Sequence, residues 1–222
     1  MEKLIDKGFL STASDALKDL MTQLAVESIL AKGEVLFEQD DPGETLYAIA
    51  SGTLEISVLS PDGRKLSLDV MREGAVFGEI ALFDPGPRTS TITATEPSCV
   101  WGIKNTDVLA ALITRPELSV DMLQLAGRRM RWMGQQLRDQ VFLPLPMRLA
   151  QKILYLADGN GGSVHTVKLS QSELAEFVGA TRESVSKTLA VWKRDGVIDL
   201  SRGSLRILKK ENLKKIATSE TI

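Results

Sequence analysis

Hydrophobic residues follow different rhythms along the chain, and each change of rhythm marks a new kind of element. Between residues 12 and 30, Leu17, Leu20, Leu24 and Ile29 fall at roughly helical spacing, which predicts a helix with one apolar face. From Lys32 to Ile103 the period drops to two. Val35 and Phe37, then Leu46, Ala48 and Ala50, then Leu54, Ile56 and Val58, then Leu66, Leu68 and Val70 alternate with their neighbours, as in strands with a buried face. Lys32-Gly33, Asp41-Pro42-Gly43, Ser51-Gly52, Pro61-Asp62-Gly63 and Glu73-Gly74 separate these runs. Turn signals recurring about every ten residues favour an antiparallel sandwich or barrel over a parallel sheet. Residues 32–103 therefore read as a small jelly-roll-like β domain.

Helical spacing returns after Asn105, where Thr106 is placed to cap a short helix, and Pro116 opens a longer one. Leu118, Met122, Ala126, Met130, Met133, Leu137 and Val141 draw one apolar stripe. A helix over residues 117–142 would run about 39 Å at about 1.5 Å per residue, longer than the core of a small domain covers. Such a stripe either packs along its own β domain or forms a coiled-coil-like seam with a second copy, and its length favours the seam. Leu143-Pro144-Leu145-Pro146 then interrupts the pattern, since proline lacks an amide donor and pushes its predecessor out of helical geometry.

Beyond this break, Arg148–Leu156 reads as a helix and residues 158–162 as a glycine-rich loop. Two short helices follow and meet around Gly179. Val197–Leu200 and Leu205–Leu208 alternate on either side of Arg202-Gly203, the pattern of a β-hairpin or wing. The whole is an α+β chain in three parts: residues 1–115, a long helix over 116–142, and a winged helical domain over 143–222.

Charge sharpens the division. The net charge of the 222 residues is only -2, yet residues 1–142 hold 14 basic and 21 acidic side chains, leaving the 13 basic and 8 acidic ones to residues 143–222. An acidic front is thus joined to a basic back, and a basic domain points to a polyanionic partner. One cysteine, Cys99, and one histidine, His165, are present. An intrachain disulfide is excluded, as are a cysteine-ligated cluster and a tetrahedral zinc site. His165 lies in a polar stretch without a nucleophile motif and reads as a solvated side chain, so no catalytic residue is expected. A jelly-roll metal enzyme is also disfavoured, because residues 1–164 contain no histidine to ligate the metal. Met1–Lys7 lacks the apolar core of a signal peptide and no apolar run approaches the ~20 residues that span a bilayer. These features predict a reduced cytoplasmic protein with no membrane association.

Two constellations carry candidate chemistry. Ser170-Gln171-Ser172-Glu173 has the S-x-x-E pattern of a capping box. Gly179-Ala180 makes a tight turn, Thr181 is placed to cap the next helix, and Val185, Leu189 and Trp192 form that helix's buried stripe. Arg182, Glu183, Ser186 and Lys187 project from the opposite face. A short helix, a glycine turn and a second helix with a polar face is the helix-turn-helix arrangement, whose second helix enters the major groove of double-stranded DNA. The second constellation is Phe77-Gly78-Glu79-Ile80-Ala81-Leu82 followed by Pro87-Arg88-Thr89-Ser90-Thr91. A glycine before one helical turn lets free amides face an anion, and Arg88 is placed to return across the loop and pair with Glu79. Phosphate plus ribose fits this set; an ordinary ion pair across a β-connection also accounts for Glu79 and Arg88.

With both constellations in place, the chain resembles the cyclic-AMP receptor protein/FNR (Crp/Fnr) family of bacterial transcription regulators over nearly its whole length. Phe77–Leu82 with Arg88-Thr89-Ser90 is similar to that family's phosphate-binding cassette, and Thr181–Lys187 to its recognition helix. The resemblance implies a cyclic-nucleotide-binding-like sensor domain over 1–115, a dimerisation helix over 116–142 and a winged helix-turn-helix over 143–222. It implies that Glu79 holds a ribose 2′-hydroxyl, Arg88 the cyclic phosphate, Thr89 a phosphate oxygen, and the amides near Ile80 and Ala81, after Gly78, the remaining oxygens. Cyclic AMP, or cyclic GMP, is then the effector, with no tightly bound cofactor. Where the cyclic-AMP receptor's long helix offers hydroxyls to the purine, this chain has Met133 and Gly134, with Trp132 adjacent. On DNA the resemblance places Arg182, Glu183 and Lys187 at base edges and Ser170, Gln171 and Thr181 on phosphates, with Ser186 on the same face; Lys187 stands where the family has an arginine. The expected partners are an inverted-repeat operator, a second copy of the chain and RNA polymerase. A regulator of the same family with another effector, or none, is the alternative.

Overall fold

A computed structural model describes residues 13–158 and 166–218; the readings on Met1–Lys7, His165 and most of the 158–162 loop fall outside them. The chain divides into two compact units, the change of unit falling between Met133 and Gly134.

In the first unit, helix α1 (Asp15–Leu24) is followed by strands β1 (Val26–Leu30), β2 (Val35–Phe37), β3 (Thr45–Ser51), β4 (Thr53–Leu59), β5 (Lys65–Arg72) and β6 (Val76–Phe77). A single turn, α2 (Ile80–Phe83), leads to β7 (Thr91–Ala94), β8 (Ser98–Lys104), α3 (Asn105–Thr114) and the long helix α4 (Glu117–Phe142), whose residues from Gly134 onward belong to the second unit. Two four-stranded sheets form, in the orders β1-β8-β3-β6 and β2-β7-β4-β5. The expected helix over 12–30 therefore ends early. Ala25, in extended conformation, closes α1, and Ile29 pairs with Cys99 in an antiparallel ladder with β8.

Strand β3 shows why a simple inside/outside alternation undercounts its burial. Leu46 and Ala48 pack with Leu17, Leu20, Met21, Trp101 and Ile103 under the helices. Tyr47 and Ile49, on the other face, join Leu54, Ile56, Phe77 and Ile92 in a second core. One sheet is thus covered on both sides, and its strands alternate between two cores rather than between core and water.

Thr106 does not cap α3. The cap residue is Lys104, in extended conformation and without a side-chain bond; Asn105 instead donates its amide to Gly43 O (3.0 Å) and Ala81 O (3.2 Å). Helix α4 begins and ends where the apolar pattern places it, but its stripe is not one surface. Leu118, Met122 and Leu125 are buried in the helix-side core, whereas Met130, Leu137 and Val141 are 63%, 67% and 63% exposed. At about 100° per residue, the 4-residue steps of the stripe drift around the helix, so its two ends face different surroundings. Asp121 anchors the packed end, accepting hydrogen bonds from the Ser14 amide (3.0 Å) and hydroxyl at the start of α1.

The second unit continues through α5 (Leu145–Asp158), β9 (Thr166–Val167), α6 (Gln171–Val178), α7 (Arg182–Arg194), β10 (Ile198–Ser201), β11 (Ser204–Ile207) and α8 (Lys210–Thr218). α5 starts three residues before the helix expected at Arg148, because Pro146 occupies its first turn, where no amide is needed. Leu149, Ile153, Leu174, Val185, Leu189, Ile198, Leu205 and Leu213 make the buried core. β10 and β11 pair antiparallel as the expected wing, and β9 adds a third strand against β11. β9 and α8 carry little sequence signal: β9 is only two residues long, and α8 has just Leu213, Ile216 and Ala217 as apolar residues.

Candidate functional site

The first site is built where β6 runs into α2. Gly78 has φ +84, and a Cβ there would lie 2.9 Å from both Arg88 Nη1 and Thr45 O, so only glycine admits this turn against the arginine. The turn delivers Glu79 as the residue capping α2, its side chain making no cap bond and lying only 3% exposed. Ile80 and Ala81 open the helix. The first amides to bond back are those of Leu82 and Phe83, both to Glu79 O, so the two opening amides have no intrahelical acceptor.

The expected Glu79–Arg88 pair does not form. Glu79 Oε1 instead takes Arg129 Nε of α4 at 3.0 Å, and Arg129 Nη2 reaches Val76 O at 3.4 Å. Arg88, 5% exposed, donates from Nη2 to Thr45 O at 2.9 Å and lies 4.2 Å over the Phe37 ring. Its Nε and Nη1 are buried without a hydrogen-bond partner. Burial pulls the guanidinium below its ordinary pKa, with the opposing influences of Tyr47 and Asp41 smaller. Two buried charged donors without partners are costly unless an anion completes them.

Gly78, Glu79, Ile80, Ala81, Arg88, Thr89 and Met133 all line one cavity. Thr89 is exposed beside Arg88, and Met133 enters from α4. Arg129 lines the cavity as well and had no sequence signal of its own, standing among Arg128 and Arg131 and fifty residues from Glu79. Asn105, likewise without a sequence signal for this role, ties the start of α3 to the α2 carbonyl of Ala81.

The second site lies on the other unit. Ser170 and Glu173 form the reciprocal capping box, and Gly179, in the left-handed region at φ +62, ends α6. Thr181 caps α7 by accepting from the Ser184 amide at 3.2 Å. Val185, Leu189 and Trp192 are buried, which fixes the opposite face outward: Arg182, Glu183 and Lys187 are exposed and Ser186 is half-buried. Glu183 and Lys187 pair with each other at 2.7 Å across one helical turn. A groove gathers Ser170, Gln171 and Arg182 with Arg202, Gly203 and Ser204 of the wing. Arg202, in the turn between β10 and β11, is thus brought beside Ser170, Gln171 and Arg182.

A family model for a cyclic nucleotide-binding domain matches residues 28–115, and one for a Crp-like helix-turn-helix domain matches residues 147–216. The "CRP-like cAMP-activated global transcriptional regulator" of Mycobacterium tuberculosis is 39% identical over 191 residues, covering 84% of this chain and 85% of that protein. The "Cyclic AMP receptor protein" of Thermus thermophilus is 28% identical over 199 residues, covering 90% and 91%. Among solved structures, a transcriptional regulator of the crp/fnr family from Eubacterium rectale superposes with a TM-score of 0.82 at 19% identity, over 96% of this chain and 99% of that one. The chain belongs to the Crp/Fnr family of transcription regulators, a family that regulates transcription rather than catalysing a reaction. Among the described residues no helix is long and apolar enough to cross a membrane.

Proposed function

We propose that the chain is an effector-gated regulator in which a 3′,5′-cyclic nucleotide, cyclic AMP first, binds the β-rich unit and controls operator binding by a homodimer. The observation that carries this reading is Arg88, a buried guanidinium with two unpartnered nitrogens, next to a turn whose opening amides lack intrahelical acceptors. The phosphate of the effector completes Arg88, Thr89 and the amides of Ile80 and Ala81, while Glu79 receives the ribose 2′-hydroxyl. Because Glu79 is held by Arg129, a ligand on that carboxylate bears directly on α4. The cyclic-AMP activation named for the mycobacterial relative supports the choice of nucleotide.

The exposed row Met130, Leu137 and Val141 is the surface we assign to the second copy, by the coiled-coil logic of spaced apolar side chains. The dimer presents two copies of α7 to an inverted repeat with half-sites about 34 Å apart. Arg182, Glu183 and Lys187 address base edges, Ser186 lies on the same face, and Ser170, Gln171 and Thr181 hold phosphates; RNA polymerase is the further partner. Calorimetric titration with cyclic AMP and cyclic GMP tests the effector, and absence of saturable binding of either leaves a family regulator with another effector or none. Light scattering tests the seam: Met130→Glu with Leu137→Glu is expected to yield monomers, and a monomeric wild type with ligand present overturns it.

A further inference from the structure

We propose that the effector's base is held by stacking on Trp132, so that this site selects a planar ring system and reads little of its hydrogen-bonding pattern. The inference rests on the cyclic-nucleotide reading above and deepens it. α4 contributes three side chains to the cavity: Arg129, Trp132 and Met133. Spacings of three and four residues put them on one helix face. The Arg129 guanidinium carbon is 5.7 Å from the Trp132 ring centroid, and its Nε is 3.0 Å from Glu79 Oε1. Arg129 thus touches both the indole and the carboxylate assigned to the ribose, placing them side by side on one wall of the cavity.

The chemistry of the lining decides how a base is read there. Indole has one N–H donor and no acceptor, and a thioether is only a weak acceptor. Leu68 and Ile56 also line the cavity and carry no polar side-chain atom. The lining hydroxyls, Thr89 and Ser90, directly follow Arg88 in the chain, at the phosphate end. With Arg129 Nε and Nη2 committed to Glu79 and Val76 O, α4 offers a base chiefly a half-buried π face and a polarisable sulfur, both of which attract aromatic rings. Every nucleobase has such a face, so recognition of this kind tolerates exchange of one purine for another.

Calorimetric titration of the whole chain with cyclic AMP, cyclic GMP and cyclic CMP tests this, using the wild type, Trp132→Phe and Trp132→Ala. The two purines are expected to bind the wild type within about tenfold of each other, and cyclic CMP more weakly, in keeping with its smaller stacking area. Trp132→Phe is expected to hold affinity within about threefold, and Trp132→Ala to weaken both purines equally, by roughly ten- to hundredfold. Trp132→Leu, apolar and compatible with a helix but without a π face, carries the same expectation as Trp132→Ala and guards against loss of folding. Trp101 and Trp192 are buried in the two cores, so a ligand-dependent change in tryptophan emission is expected in the wild type and absent in Trp132→Phe. Purine affinities differing by more than about a hundredfold, at a ratio unchanged in Trp132→Ala, would place base recognition elsewhere and overturn the inference. Binding left intact in both Trp132→Ala and Trp132→Leu overturns stacking alone. A wild type that binds no cyclic nucleotide overturns the cyclic-nucleotide reading and, with it, the base subsite.

Discussion

The two candidate sites use charge in opposite ways. In the β-rich unit Glu79 and Arg88 are 3% and 5% exposed, are held by named protein atoms and face a cavity. On α7, Glu183 and Lys187 are 77% and 76% exposed and neutralise each other, with Arg182 open to solvent beside them. Buried charges interact through a low effective dielectric, resist screening and penalise any missing partner. Exposed charges act at a distance, are screened by salt and tolerate rearrangement. A site of the first kind suits a small anion met by geometry, and one of the second kind suits a polyanion whose contacts exchange with water and counterions.

The contrast is broken most strongly at Arg88. Arg88→Met is expected to remove charge-assisted contacts worth about 1.5–3 kcal/mol, lowering cyclic-nucleotide affinity roughly tenfold or more. With its pKa pulled down by burial, the protonated guanidinium costs folding stability at every pH below that lowered value. Ligand-free Arg88→Met should therefore unfold near the wild-type temperature, relief of the buried charge being offset by the lost bond to Thr45 O, the lost Phe37 and Tyr47 ring contacts and the lost attraction to Asp41. Ligand at a hundred times the wild-type Kd should stabilise the wild type by about 2.7 kcal/mol and the variant by about 1.4 kcal/mol or less. A large drop in ligand-free stability would mean that Arg88 serves the fold first.

Arg182→Ala is the matching change on the exposed side. It is expected to cost about 1–3 kcal/mol and flatten preference at one base pair per half-site, measured by selecting sites from random DNA. Unlike ligand binding at Arg88, DNA affinity should fall steeply with added salt in the wild type. An unchanged sequence preference with lower affinity would make Arg182 a backbone contact. Ser170→Ala comes next: losing its half of the capping box should cost about 1 kcal/mol of stability and weaken all DNA sequences alike. Lys187→Arg is the smallest. Its pair with Glu183 is exposed and worth only a few tenths of a kcal/mol, about 0.3–0.5, so stability should hardly move. Discrimination at a single base step should rise, because a planar fork replaces a point charge; a flat response at every step would remove Lys187 from the base edge.

What the chain's letters determine alone is whatever depends on neighbours within a turn or two. The limits of α4, the Ser170–Glu173 capping box, the Thr181 cap and the outward face of α7 all follow from spacings of three and four residues, and the structure has them where those spacings put them. The turn-punctuated alternation likewise announces an antiparallel β domain. Two local readings failed where tertiary packing outbid propensity: Ile29 left its helical pattern to pair with β8, and Thr106 yielded the start of α3 to Asn105, which is drawn to carbonyls 62 and 24 residues away. The sensor site shows the same limit. Gly78, Glu79, Arg88 and Thr89 are legible as a motif, yet which arginine meets Glu79 is decided by how α4 lies against β6 and α2. That packing brings Arg129 to a carboxylate fifty residues away and leaves Arg88 Nε and Nη1 without partners. Local periodicity encodes elements because helix and strand bonds are short-ranged; the partner of a buried charge is set by which surfaces close together, a property that exists only once the chain has folded.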